Sequence, residues 1–349
     1  MGVRILVGDV RAMLETLPDE SVHCVVTSPP YWGLRDYGVE GQIGLEPTPG
    51  EFVATMTDVF REVRRVLRAD GTCWVNMGDS YAAQRGGTHQ PAETLAGGVG
   101  GKTAEGSNVN RSRHDGYNPT RNASAIGLKH KDLVGMPWRL AFALQADGWW
   151  LRQDIIWSKP NPMPESVRDR CTKAHEYIFL LTKSERYWYD AEAISEEASE
   201  NTHARRPVPA GLATGGGEHS AVAHQTERNH RKVRKLAEPG SGTKNNTSFE
   251  EAMSGLVDRR NKRSVWTITT KGFSEAHFAT FPPELPEICI KAGCPPGGTV
   301  LDPFFGAGTT GLVANRLGRD CIGIELNPAY ADMARRRILG DAPLLAEVA

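Results

Sequence analysis

The sequence has no run approaching the roughly 18 apolar residues a membrane span requires. Its first twenty residues, MGVRILVGDVRAMLETLPDE, hold only a short apolar run before charge returns. A signal peptide needs a longer apolar core, so an intracellular protein with no membrane contact is expected. None of the six cysteines (Cys24, Cys73, Cys171, Cys289, Cys294, Cys321) forms a CxxC pair, and four lie in apolar runs. That pattern fits reduced core thiols and argues against a disulfide framework or a zinc site. His203, His219, His224 and His230 lack ligand spacing, so no metal is expected. Internal repeats are also missing. The net charge is only −1, yet residues 201–263 carry 12 Lys and Arg against 6 Asp and Glu, leaving the remainder acidic. A basic segment on an acidic body suggests polyanion contact confined to one region, with a solvated basic loop as the alternative.

What is present is ordinary globular composition, 39% hydrophobic and 24% charged over 349 residues. That is enough for one large domain or two moderate ones. Apolar strand patterns at 3–7, 22–26 and 72–77 alternate with helical patterns at 10–17 and 51–67. After residue 127 a helix is expected near 132–146, with strands at 151–157 and 177–181. Apolar structure resumes at Val265, and a βαβα unit runs from Thr299 to about Leu339. Strands alternating with helices predict an α/β fold, a parallel sheet with helices on its faces. Two stretches break the pattern. Residues 85–127 hold nine glycines and read as a long loop or partly disordered insertion, and 191–262 are polar and low in aromatics.

The segment Thr299-Val300-Leu301-Asp302-Pro303-Phe304-Phe305-Gly306-Ala307-Gly308-Thr309-Thr310-Gly311 follows an apolar strand and opens a helix. Gly306, Gly308 and Gly311 have the G-x-G-x-x-G spacing of a nucleotide-binding turn. Glu325 follows Gly306 by 19 residues, at the end of the next strand, where an acid reaches ribose hydroxyls. The helix N-terminus offers free N–H groups to an anion. NAD is one candidate ligand, but only 38 residues follow Gly311, too few for a second nucleotide-binding half. The N-terminal strands must then complete the sheet, a circular permutation of the usual order. S-adenosylmethionine (SAM) also carries ribose and adenine, with a carboxylate in place of pyrophosphate. Asp302 could accept from its ammonium group.

Thr27-Ser28-Pro29-Pro30-Tyr31-Trp32 ends the second strand. Its two prolines fix the backbone and supply carbonyl acceptors without N–H donors. An acceptor-rich rigid loop beside an aromatic suits a planar substrate bearing an amino group. The amine would donate to the Ser28 hydroxyl and the Pro29 carbonyl while Tyr31 stacks on the ring. A plain Pro-Pro turn with a packed tyrosine is the alternative.

Taken together, Ser28-Pro29-Pro30-Tyr31 near the start and Asp302-Pro303-Phe304-Phe305-Gly306-Ala307-Gly308-Thr309-Thr310 near the end are similar to motifs of the β-class DNA amino-methyltransferases. Further stretches agree: 67–76, 157–164, Glu176-Tyr177-Ile178, Thr182-Lys183-Ser184 and 277–282. The likeness covers about 3–82, 132–190 and 264–339. It implies a circularly permuted Rossmann-like SAM-dependent methyltransferase sheet with an inserted target-recognition region, methylating N4 of cytosine or N6 of adenine in double-stranded DNA. The implied parts are a catalytic half (1–84 and 132–190) interrupted by the glycine-rich insertion (85–131), a basic recognition region (191–263) and a SAM-binding half (264–349).

By the same resemblance, Ser28, Pro29, Pro30 and Tyr31 form the catalytic loop. Asp302, Phe304, Gly306, Gly308, Thr309 and Thr310 line the methionine end of SAM. Glu325 holds the ribose, Asp9 lies near the adenine, and Phe281-Pro282 closes over the cofactor. Arg231, Lys232, Arg234 and Lys235 are the candidate DNA contacts. Serine at the first loop position is typical of the N4-cytosine enzymes and aspartate of the N6-adenine ones, which favours cytosine. A methyltransferase acting on RNA or another amine is the more distant alternative. The resemblance also implies a bacterial or phage-encoded protein of the cytoplasm, at the nucleoid, with a restriction endonuclease acting independently as a partner.

Overall fold

Apolar stretches at the two ends of the chain pair with each other: Val3 lies opposite Cys321, and Val7 opposite Glu325. The structure is a computed structural model that describes residues 2–83, 126–198, 259–270, 281–341 and 347–348. In chain order its elements are β1 (Gly2–Val7), α1 (Val10–Glu15), β2 (Val22–Thr27), α2 (Pro49–Val66), β3 (Leu67–Met77), α3 (Met136–Ala146), β4 (Trp150–Ser158), β5 (His175–Thr182), β6 (Glu196–Glu197), β7 (Arg259–Arg260), β8 (Val265–Thr267), α4 (Glu284–Gly293), β9 (Thr299–Asp302), α5 (Thr309–Arg316), β10 (Asp320–Glu325), α6 (Pro328–Asp341) and β11 (Glu347–Val348). They fall into two compact units, Ser195–Asn261 and the rest of the chain.

The larger unit holds a nine-stranded sheet in the order β11-β1-β10-β9-β2-β3-β5-β4-β8. The N-terminal strands β1 and β2 flank the C-terminal pair β10-β9, which is the permuted arrangement expected from the chain order. The sheet is parallel except at β5, which runs antiparallel to both β3 and β4. This departs from the expected all-parallel sheet, and the reason is local. Residues 159–174 between β4 and β5 form no helix, and a parallel neighbour needs a crossover connection.

Alternation along the strands divides the core between two faces. Val25, Cys73 and Val75 face a layer built from α1, α2 and α3, while Cys24, Val26 and Trp74 face α4, α5 and α6. α2 begins with a capping box in which Thr48 and Glu51 satisfy each other's backbone N–H groups. Its apolar stripe, Phe52, Met56, Val59, Phe60 and Val63, is fully buried. Trp149 is buried against Phe60, whereas its neighbour Trp150 is 46% exposed, as alternation across a strand start dictates. Five cysteines are buried free thiols and Cys171 is exposed.

In the smaller unit the described residues include the antiparallel pair β6-β7, with Arg260 ion-paired to Glu196 at 3.5 Å. Among the described residues no helix is long and apolar enough to cross a membrane. Arg231, Lys232, Arg234 and Lys235 lie outside the described residues, as do most of the 85–131 insertion and 277–280.

Candidate active site

The chain leaves β9 towards α5 and β10 in one direction and leaves β2 towards β3 in the other, so the sheet order reverses between β9 and β2. Such a switch point opens a crevice at the carboxyl ends of the strands. Both motif loops meet there. Asp302 ends β9 and Thr27 ends β2, and the Thr27 hydroxyl donates to Asp302 Oδ1 at 2.7 Å. The same oxygen accepts from the Phe304 N–H at 3.1 Å, and Oδ2 accepts from the Thr310 hydroxyl at 2.7 Å. Asp302 is 1% exposed. Burial pushes its carboxyl up to about 6, against the pull of the Thr310 and Thr27 hydroxyls. It therefore joins the end of β2 to the glycine loop, a role that its sequence position did not reveal.

The glycine loop turns as its spacing predicts. Gly306 and Gly308 have φ of +51° and +73°, a region that side chains disfavour. At Gly311 the limit is different. A methyl group there would approach the Phe305 ring to 2.5 Å, so this glycine makes room for a buried aromatic wedged beneath α5. Among the described residues no side chain caps the N-terminus of α5, so its first N–H groups could meet an anionic group. Arg337, from α6, donates to the Ala307 carbonyl at 3.0 Å and the Thr309 hydroxyl at 2.9 Å. This loop anchor is invisible in the sequence, because it comes from another helix, 28 residues on.

Glu325 ends β10 and reaches back to the loop. Its Oε2 accepts from the Gly306 N–H and its Oε1 from the Asn327 N–H, each at 2.8 Å. Burial raises its pKa while these backbone donors oppose the rise. Each oxygen keeps a lone pair for a hydroxyl, as a ribose-binding acid needs. Tyr37 and Tyr330 gather near this carboxylate. Burial comes first, and the Glu325 charge adds to it, in pushing both phenols above their usual range.

Asp9 follows β1, whose last bond runs from the Gly8 N–H to the Glu325 carbonyl at 3.0 Å. Its carboxylate caps α1 and pairs with Arg11 at 3.0 Å, and the Arg11 hydrogen bond holds its pKa below the ordinary range. Phe281 packs against the core layer containing α4 and α5, and the Pro282 carbonyl accepts from Leu285 at the start of α4. An uncapped anion-binding helix end, a ribose-type acid and a buried carboxylate at one crevice fit a nucleoside with an amino-acid tail.

On the β2 side, Ser28 and Pro30 are partly exposed and Pro29 is buried. The loop is anchored by Trp32, which is 2% exposed and donates through its indole N–H to the Glu46 carbonyl at 2.8 Å. The Tyr31 hydroxyl donates to Glu176 Oε2 at 2.8 Å. Burial, then the Glu176 charge, pushes the Tyr31 phenol well above its usual range, while the Ser28 hydroxyl and Gly78 N–H pull the other way. Glu176 and Asn76 had no assigned role in the sequence. The available signal was a single acid at the mouth of the buried strand β5. Lys159 is ion-paired to Glu176 and lies 4.2 Å from the centre of the Trp157 ring.

Known proteins resemble the chain along nearly its whole length. Residues 22–336 match the model of a DNA methylase family. The chain is 43% identical over 337 residues to the Type II methyltransferase M.SmaI of Serratia marcescens, covering 96% of this chain and 90% of that one. It is 42% identical to M.Cfr9I of Citrobacter freundii, covering 97% and 89%. Among solved structures, the cytosine-N4-specific PvuII DNA methyltransferase superposes with a TM-score of 0.56 at 18% identity, covering 100% of this chain and 94% of that one. A putative DNA modification methylase of Thermus thermophilus, complexed with SAM, superposes with a TM-score of 0.52 at 23% identity, covering 99% of each chain. The chain therefore belongs to the N6/N4 DNA methylase family, and it is a SAM-dependent DNA methyltransferase.

Proposed function

We propose that this methyltransferase acts on the exocyclic N4 of cytosine at a specific sequence in double-stranded DNA. The observation that carries the reading is the junction of the Ser28–Tyr31 loop with the glycine loop at the sheet's switch point, through Thr27 and Asp302. SAM, when bound, supplies a methyl group on a sulfonium centre. The residues that would hold it are Asp302, Phe304, Gly306, Gly308, Thr309 and Thr310 at the methionine end, Glu325 at the ribose, and Asp9 towards the adenine. Phe281 and Pro282 would close the site.

A nucleobase amine is a poor nucleophile because its lone pair is delocalised into the ring. Hydrogen bonds accepted by the Ser28 hydroxyl and the Pro29 carbonyl favour a pyramidal nitrogen whose lone pair leaves the ring plane. Attack on the methyl carbon would then be direct, the N–C bond forming as the C–S bond breaks and the neutral thioether leaves; no covalent enzyme intermediate is needed, and the surplus proton would pass to water. The rate comes from positioning and fixed dipoles. A paired base cannot present its amine in this way, so it must leave the stack, at a cost of a few kcal/mol. Stacking on Tyr31 returns roughly 1–3 kcal/mol of that. Cytosine C5 chemistry would need a cysteine nucleophile. The loop has none, and Cys24 is fully buried in β2.

Ser28 in place of an aspartate supports cytosine over adenine. Both bases offer an amine beside a ring nitrogen, so N6 of adenine is the second reading. Residues 191–263 serve as the recognition region, with Arg231, Lys232, Arg234 and Lys235 on phosphates. DNA as substrate supports a cytoplasmic location, and the Type II naming of its relatives supports a restriction endonuclease of matching specificity, acting independently. Nucleoside mass spectrometry of DNA treated with the purified protein and SAM should find N4-methylcytosine. N6-methyladenine alone would overturn the choice of base and leave the rest standing.

A further inference from the structure

We propose that Glu176 is the positioning residue of Tyr31, holding the aromatic ring of the catalytic loop in the orientation in which it receives the target base. The proposal rests on the reading of Tyr31 as the stacking residue. Tyr31 and Glu176 are 145 residues apart in sequence and meet because β5 lies antiparallel beside β3, so the start of β5 is at the same sheet edge as the end of β2.

Three elements fix the carboxylate. Oε1 is ion-paired to Lys159 at the end of β4, and Oε2 accepts from Asn76 Nδ2 of β3 at 3.1 Å as well as from Tyr31. Asn76 is itself fixed, donating to the Tyr177 carbonyl at 3.1 Å. The Lys159 and Glu176 side chains are only 18% and 16% exposed. On the ring side, a methyl group at Gly78 would approach Tyr31 Cε2 to 2.7 Å, so the ring lies against bare backbone. Its hydroxyl end is tied and its edge is braced.

A tyrosine that merely filled space would need none of this. Burying an ion pair costs desolvation that a well-packed apolar cluster avoids, so the pair is not explained by stability. It is explained by orientation. A ring already locked by neighbours loses no rotamer freedom when a base arrives, and pre-organisation of that kind favours the bound state. The arrangement also commits the Tyr31 hydroxyl as a donor to Glu176. The target amine is thereby left to Ser28 and the Pro29 carbonyl. Consistent with a permanent acceptor, burial pushes the Glu176 carboxyl up, but the Lys159 charge and the hydrogen bonds from Lys159, Tyr31 and Asn76 outweigh it and hold the pKa below the usual range.

The test is a double-mutant cycle on the purified full chain, using methyl-free genomic DNA and labelled SAM. Tyr31→Phe removes the hydroxyl and Glu176→Gln removes the charged acceptor. Each should lower kcat about tenfold, the scale of a small misplacement at a reacting centre, and leave KM for SAM within about twofold. Once the Tyr31 hydroxyl is gone, loss of the charged acceptor has no bond left to weaken, so the double variant should be no slower than the slower single. Losses that multiply to about a hundredfold would overturn the proposal. So would a Glu176→Gln protein that melts earlier with kcat unchanged. Glu176→Asp, which keeps the charge for Lys159 but withdraws the acceptor from Tyr31, serves if Glu176→Gln fails to fold. Tyr31→Ala separates the two readings. A large loss of kcat there with no effect of Tyr31→Phe or Glu176→Gln sinks only the role of Glu176, whereas an unaffected Tyr31→Ala sinks the stacking role as well.

Discussion

Single carboxylates in this protein do different work according to what surrounds them. Glu325 is partly exposed, with one backbone donor on each oxygen. Glu325→Ala should weaken SAM binding by about 1–3 kcal/mol in calorimetry, the size of a lost charged acceptor. Unchanged affinity would remove it from the site. Asp302 is buried with no cationic partner among the described residues, and its pKa of about 6 lies above the value near 3.8 that it has when solvated. The folded state therefore holds its proton more tightly than the unfolded chain does. Its contribution to stability is present below about pH 4, is lost as pH rises towards 6, and is constant above that. The loss is roughly 3 kcal/mol at most. Asp302→Asn should flatten that stretch of the curve, which urea unfolding at pH 4.5 and 7 would read directly. An unaltered difference between the two pH values would assign the dependence to other groups.

Elements place these residues. α5 begins at a glycine with no side-chain cap, and the loop before it is fixed by Arg337 from α6 and by the Phe305 ring below. Gly311→Ala should destabilise the fold by about 1–3 kcal/mol, because the added methyl meets Phe305 at 2.5 Å in a packed layer. SAM affinity should fall with it as the loop shifts. A variant as stable as the parent in thermal unfolding would show that Phe305 can yield. The glycine pattern was legible in the sequence because spacing and backbone conformation are local. The partners Arg337 and Glu176 were not, because they arrive on other elements. Likewise, apolar patterning gave β5 as a strand, but its direction depends on the connection to β4 being too short of structure to cross the sheet.

At the scale of the whole molecule, charge is unevenly spread, with a basic excess confined to residues 201–263. Replacing Arg231, Lys232, Arg234 and Lys235 with neutral residues should reduce the salt dependence of DNA binding by nearly one unit of logarithmic slope for every phosphate no longer neutralised. Fluorescence anisotropy across a salt series measures that slope, and an unchanged value would make the segment a solvated loop.

By itself the sequence indicated most of the strands and helices from β1 to β5 and from β9 to α6, that the two chain ends must share one sheet, and which two motif loops carry the unusual residues. Those are consequences of periodicity, backbone-restricting residues and chain length, all properties of short range or simple counting. Tertiary structure alone decided what stands beside each motif. Asp302 answers to Thr27 across the switch point, and Tyr31 answers to a glutamate 145 residues away. Hydrogen bonds of that kind join residues whose separation along the chain carries no record of their nearness in space.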